Sequence, residues 1–467
     1  MYFLKNNNTF TLTYFKNPWE GSMYLNIKNC FYSILSLFIF SNAVHAAGIY
    51  NEEKFTLNNG LDVIVVPDHR SPVIFHAIGY YVGGLDEPKG YSGQAHLLEH
   101  LMFKGTKQKS GQEFDTYLSS VGGQQNGYTN TTSTGYYQIA PITEINTLMQ
   151  WEASRMRGII INQDILNTER KIVLQEKRQK FESSAFGKYY IAKNNDMYTD
   201  GKDRSVIGST ADLNAVNLQS LKEFYNTYYH PNNAYVILAG DITVEKAKLL
   251  AQKHYGALKA STAVPNRNLR TDPKHINYTK KIYTDARYSN HYTAQQYFLP
   301  YNNDADLKTA TAIEMLLYIL FDSPTSPASI DLVELNKLSY ISASLNRNME
   351  GISYQISYVS RGGQYKKYAD TDMVMEWTKG AKKYLTQESF DLAKEQIRRS
   401  KIMFLDNTIN IGSNLLKLIG DLGQVTPSEW EKQQSIRQNL SLQDIRNAYD
   451  NYIIKKPYFV GTLTGDK

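Results

Sequence analysis

Cysteine is almost missing: Cys30 is the single one in 467 residues. One thiol excludes an internal disulfide framework and any metal site built on paired thiolates. Charge of one sign is not in excess either. The 51 Lys and Arg stand against 45 Asp and Glu, a net +6, and no basic run is dense enough for a nucleic-acid face. Long apolar runs are lacking. The stretch from Phe31 to Phe40 is ten residues, too short to span a bilayer well. Histidine is scarce, with nine in the chain, so the placement of two of them carries information.

The N-terminus reads as an export signal. After Met23 comes a short segment with Lys28, then the apolar run, then the small-residue site Val44-His45-Ala46. Cleavage is predicted after Ala46, making 1–46 a signal peptide with Met23 as an alternative start; an uncleaved anchor is the other reading. Cys30 lies inside this segment, so the mature chain has no thiol. Removing Lys5, Lys16, Lys28 and Glu20 lowers the net charge from +6 to +4. The expectation is a secreted protein, in the periplasm of a Gram-negative bacterium, with no stable membrane span after cleavage.

The length suits two domains, and 42% hydrophobic with 21% charged residues is ordinary globular composition. Asn58-Asn59-Gly60 between apolar runs signals a hairpin. Val73 to Val82 and 126–140 read as strands. Helices are predicted near 143–157, over 164–182 with Asp164 as N-cap, and near 214–228. Helices and strands alternate without βαβ regularity, which predicts an α+β fold with helices on one face of a largely antiparallel sheet. A short repeat is visible: Leu218 to Asn226 resembles Leu442 to Asp450, and Gly240-Asp241 recurs as Gly465-Asp466.

His96-Leu97-Leu98-Glu99-His100 carries the chemistry. On a helix, positions i, i+3 and i+4 share a face, so both imidazoles and the carboxylate point the same way. Two imidazoles four apart can grip one divalent metal, with Glu99 placed as a general base. The order inverts the commoner His-Glu-x-x-His, which is absent here. A chance occurrence is of the order of one per cent for a chain with this composition. Leu97, Leu98, Leu101 and Met102 form an apolar side. Gly93 opens the helix and Gly105 closes it. A catalytic zinc needs a third protein ligand, and the predicted helix 164–182 offers Glu169 and Glu176, seven apart on one face. The other seven histidines have no ligand spacing.

The run Gly93 to Thr106 resembles the active-site helix of the pitrilysin/insulinase metallopeptidases, the inverzincins, which include mitochondrial processing peptidase. Gly122-Gly123 with Asn126-Gly127-Tyr128-Thr129 resembles the strand that follows in that family. Trp151-Glu152 with Arg155-Met156 resembles its Glu-x-x-Arg-Met turn. The resemblance implies one Zn²⁺ per chain, held by His96, His100 and Glu176, which stands 76 residues beyond His100. It implies Glu99 as the catalytic base and Glu169 as a residue orienting a ligand. It also implies two related domains facing each other across a chamber: 47–257 with the metal, a linker at 258–278, and 279–467 without a metal site. Substrates would be peptides or unfolded segments added to a sheet edge near 126–131, with Asn126 a candidate contact.

One departure stands out. Family members with both halves in one chain carry an Arg and a Tyr seven apart in the C-terminal half, which bind the substrate carbonyl. Here the matching stretch, Leu332 to Tyr340, keeps Tyr340 as a candidate substrate contact but has Val333 at the Arg position. An apolar side chain cannot donate to a developing oxyanion. The reading is a zinc endopeptidase assisted by a homologous partner subunit or a second copy. The alternative is a weak or inactive scaffold subunit of such a heterodimer.

Overall fold

The computed structural model describes residues 52–465, apart from 201, 203, 268, 270–275, 300–303, 324, 336, 361–372, 424–426 and 456. The expected leader with Cys30 and His45, as well as His275 and Asp466, lies outside the described residues. No helix among the described residues is long and apolar enough to cross a membrane.

The hairpin at Asn58-Asn59-Gly60 forms between β1 (Glu53–Thr56) and β2 (Asp62–Pro67), with Gly60 at a φ of +83° that favours glycine. The first half continues through β3 (Val73–Tyr80), α1 (Gln94–Met102), α2 (Gly111–Ser120), β4 (Gln124–Thr129) and β5 (Thr134–Pro141). Then come α3 (Ile145–Gly158), α4 (Gln163–Lys177), α5 (Ala185–Met197), α6 (Thr210–Ala215), α7 (Leu218–Tyr228), β6 (Ala234–Gly240) and α8 (Val244–Tyr255). The strands lie in the order β1-β2-β6-β3-β5-β4, all antiparallel except β2 with β6.

The second half holds β7 (Thr279–Thr284), β8 (His291–Leu299), α9 (Asp304–Leu317), β9 (Leu338–Asn348), β10 (Gly351–Ser360) and β11 (Phe459–Thr464). Their order is β7-β11-β8-β10-β9, with only β7 and β11 parallel. Strand for strand this repeats β2-β6-β3-β5-β4. The sequence repeat falls on the helix leading into the parallel strand of each half, α7 before β6 and Leu442–Ala448 before β11. The chain is therefore α+β, with two related, largely antiparallel sheets.

Side-chain alternation explains how the first sheet is covered. Val63, Val65, Ile74, Ile78, Val236 and Leu238 face a core with Leu97, Leu98 and Leu101 of α1 and Leu148 of α3. Ile64, Val66, Phe75, Ala77, Tyr235 and Ile237 face the other way. There they meet Ile411, Leu415, Leu416 and Ile419 of the helix Thr408–Leu422, which belongs to the second half in sequence. With both faces buried, these strands read as continuous apolar runs rather than alternating ones. In the connecting stretch Arg267 bonds Asp86 through two nitrogens at 2.8 and 2.7 Å.

The crossover helix lies flush because Gly412 has no side chain: a Cβ there would stand 2.3 Å from a ring carbon of Phe75. Gly412→Ala is expected to cost about 1–3 kcal/mol through overpacking, against its better helix propensity. Urea unfolding measures this, and an unchanged or higher midpoint would contradict the packing. A second expectation concerns His76, fully buried between Gln138 (2.8 Å) and the Tyr255 hydroxyl (3.1 Å). Burial pushes its pKa below the usual 6.5, so the unfolded chain binds this proton more readily than the folded one. The His76 contribution is complete above about pH 6.5 and is lost as pH falls below it. Denaturation midpoints taken from pH 7.5 to 5 should fall less steeply for His76→Gln than for wild type; equal slopes would refute the assignment.

Candidate metal centre

Helix α1 is held at both ends. Gly93 caps it at a φ of +89°, and Glu87 accepts from the Gly93 and Ala95 amides at 2.9 and 2.8 Å, satisfying two open donors with a charge suited to the helix dipole. At the other end Arg155 donates to the Met102 carbonyl at 3.4 Å. Arg155 is fully buried, paired with Glu152, and lies among the rings of Phe103, Tyr136 and Trp151 at 5.3, 5.2 and 5.6 Å. Leu97, Leu98, Leu101 and Met102 are fully buried, which fixes the rotation of α1 and leaves His96 and His100 on its open side.

Glu176 comes from the last turn of α4. The cap of that helix lies two residues earlier than the sequence suggested: Asn162, not Asp164, is the N-cap, its side chain accepting from the Ile165 amide at 2.9 Å. After Lys177 the chain continues as a π-type turn, Arg178–Glu182. One Glu176 oxygen, Oε2, lies 3.8 Å from His96 Nε2 and 3.6 Å from His100 Nε2. The three ligand atoms all fall within 4.8 Å of one another, the one such group among the described residues. The other oxygen, Oε1, accepts from Lys180.

The electrostatics suit metal binding. Burial, helped by repulsion from His100, pushes the His96 pKa down to about 4, so the ring is neutral at pH 7, as a ligand must be. For Glu176 burial acts upward, but Lys180, His96 and His100 outweigh it and keep the carboxyl ionised. Two neutral imidazole nitrogens and one carboxylate oxygen form a donor set that fits zinc with a position left open. Glu169 stands behind this group. Its Oε2 is 3.3 Å from His100 Nδ1 and its Oε1 is 2.9 Å from Lys104 Nζ. Burial would raise its pKa, and these two contacts lower it.

Glu99 is 8% exposed, and its Oε2 accepts from the Thr129 hydroxyl at 2.6 Å. Burial pushes its pKa up while Thr129 opposes the shift, giving a carboxylate more basic than an exposed one. Gly127 permits this approach: a Cβ there would lie 3.2 Å from Glu99 Oε1. Asn126 is exposed on β4, the edge strand, and its side chain accepts from the Gly127 amide at 2.8 Å. Tyr340, 50% exposed, stands on β9, the edge of the second sheet. Among the described residues no hydrogen bond or ring contact joins it to the His-His-Glu group. Val333 packs partly buried against the second core. Thr129, Lys104, Lys180 and Glu87 were not singled out from sequence. Only Lys180 had a local signal, four residues beyond Glu176 on a helix.

The family model Insulinase (Peptidase family M16) matches residues 67–199, and Peptidase M16 inactive domain matches 215–397. The chain is 27% identical to Zinc protease PqqE of Helicobacter pylori over 366 residues, covering 77% of this chain and 81% of that protein. It is 20% identical to mitochondrial-processing peptidase subunit beta of Lentinula edodes, covering 87% of this chain and 88% of that one. Its fold matches the crystal structure of a protease from Helicobacter pylori with a TM-score of 0.77 at 24% identity, covering 88% and 99% of the two chains. It matches the periplasmic protease PqqL from Escherichia coli at 0.72 and 19% identity, over 89% of this chain and 48% of that larger one. With residues 67–199 and 215–397 both matched by models of one family, this chain belongs to the insulinase family of peptidases, family M16.

Proposed function

We propose that the chain is a zinc-dependent endopeptidase acting on peptides or unfolded segments. The observation that carries this reading is the convergence of three ligand atoms within 4.8 Å beside a buried carboxylate of raised basicity. Relatives named zinc proteases support it. His96, His100 and Glu176 would hold one zinc, within a metal-binding half (47–257) joined through 258–278 to the half 279–467. Bound zinc supplies Lewis acidity, polarising a carbonyl and acidifying water towards neutral pH.

The protein groups do the rest. Glu99 Oε1, the oxygen not engaged by Thr129, takes the proton of the attacking water and passes it to the leaving amine. Thr129 keeps the carboxylate from rotating. Glu169 accepts from His100 Nδ1–H, which fixes the tautomer that leaves Nε2 free as a ligand. The free edge of β4 receives the substrate as an added strand, with Asn126 beside it. Tyr340 belongs to a second contact surface, on β9. A homologous subunit or a second copy is the partner we infer, in keeping with the relatives named as a mitochondrial-processing peptidase subunit. The leader, and the periplasmic relative PqqL, favour the periplasm.

Glu99→Gln is expected to keep zinc and lower kcat by roughly 10²–10⁴. Cleavage of an unstructured fluorogenic peptide, with metal content determined on the same sample and a chelator control, checks this; an active Glu99→Gln protein would refute the mechanism. Thr129→Val removes a bond that lowers the Glu99 pKa. Glu99 must be ionised to accept a proton, so the acid limb of the kcat/KM profile should move to higher pH with zinc content unchanged. A limb that stays in place, or moves down, would separate Thr129 from the base.

A further inference from the structure

We propose that Lys180 is a catalytic residue, its ammonium donating to the substrate carbonyl oxygen as negative charge develops there. This rests on the peptidase reading above and names the donor which that reading leaves unassigned. Such a donor is needed because Val333 is apolar and packs against the second core, and among the described residues no hydrogen bond or ring contact joins Tyr340 to the His-His-Glu group.

The geometry supports Lys180 in three ways. Its ammonium bonds Oε1 of Glu176, whose Oε2 faces both histidines, so the cation stands one carboxylate away from the ligand nitrogens. An ammonium carries three donors, and this contact uses one; the side chain is 64% exposed, leaving the others open towards solvent. Its charge also acts on both His96 and Glu99. The other lysine nearby, Lys104, is spent on Glu169 behind His100. The π-type turn that carries Lys180 breaks the regular helix just past Glu176, and a flexible four-carbon stem lets the ammonium follow a carbonyl oxygen.

The step balances without proton transfer to or from Lys180. Water oxygen bonds the carbonyl carbon, and the carbonyl π pair moves onto oxygen, where Lys180 N–H donates. The water proton goes to Glu99 and then to the amine nitrogen as the C–N bond breaks and the C=O bond re-forms, giving a carboxylic acid and an amine; the remaining acid proton then passes through solvent to the amine, leaving a carboxylate and an ammonium.

The test compares zinc-loaded wild type, Lys180→Met, Lys180→Arg and Glu99→Gln. For each, kcat/KM on a fluorogenic peptide, zinc affinity, and binding of a phosphinic peptide and of a cleaved product peptide are measured. Lys180→Met should lose about 10²–10³ in kcat/KM, as when an oxyanion donor is removed. Phosphinic-peptide affinity should weaken with it, because that ligand mimics the tetrahedral centre. Zinc and product-peptide affinities should stay within about twofold, and Lys180→Arg should recover most of the rate. An active wild type matched by Lys180→Met overturns the proposal. So does a rate loss that follows zinc loss, since Lys180 would then only anchor Glu176. A wild type that does not bind zinc, or that cleaves no faster than Glu99→Gln, overturns the peptidase reading itself and with it this one.

Discussion

The rotation of one nine-residue helix is the constraint on which the site depends. Four fully buried apolar side chains lock α1 against the first sheet, each worth about 1.5–3 kcal/mol of burial. Capping by Glu87 and the buried Arg155 secure its ends. A turn of some tens of degrees would carry His96 and His100 away from Glu176 and lift Glu99 from Thr129. The proposed metal binding, proton transfer and substrate placement all draw on this one packing decision, because β4, at the edge of the same sheet, also approaches Glu99 of α1 through Gly127.

The two halves repeat a sheet and divide the chemistry. The strand order and the parallel pair recur, yet α9, the counterpart of α1, has no histidine. The second half nevertheless contributes to the first, since its helix Thr408–Leu422 closes the face that α1 and α3 leave open. The second half is thus not dispensable: removing its helix would expose Phe75, Tyr235 and Ile237 of the first sheet.

Much of the site was legible because its information is local. His96, Glu99 and His100 lie within five residues, and helical periodicity alone puts them on one face. Glu169 and Glu176 share a face for the same reason, but their selection over other acids came from family resemblance. Thr129 was out of reach: its bond to Glu99 depends on the β4–β5 register and on how close β4 comes to α1. The crossover helix was equally hidden, since its amphipathic pattern tells that it packs but not on which sheet. Asp164 was misread as a cap because Asn162, two residues earlier, supplies the same chemistry from the correct backbone position. Tyr340 matched a family position in sequence, and the fold sets it on an edge strand without a contact to the metal group.

Helices α1 and α4 together present three candidate ligands for one zinc. X-ray absorption at the zinc edge, on stoichiometrically loaded mature chain and on Glu176→Gln, tests this most directly. The account predicts one zinc per chain in a shell of two imidazoles and oxygen, at about 2.0–2.2 Å, and weaker binding with altered oxygen ligation in the variant. Substoichiometric zinc in wild type, or a shell left unchanged by Glu176→Gln, would contradict it.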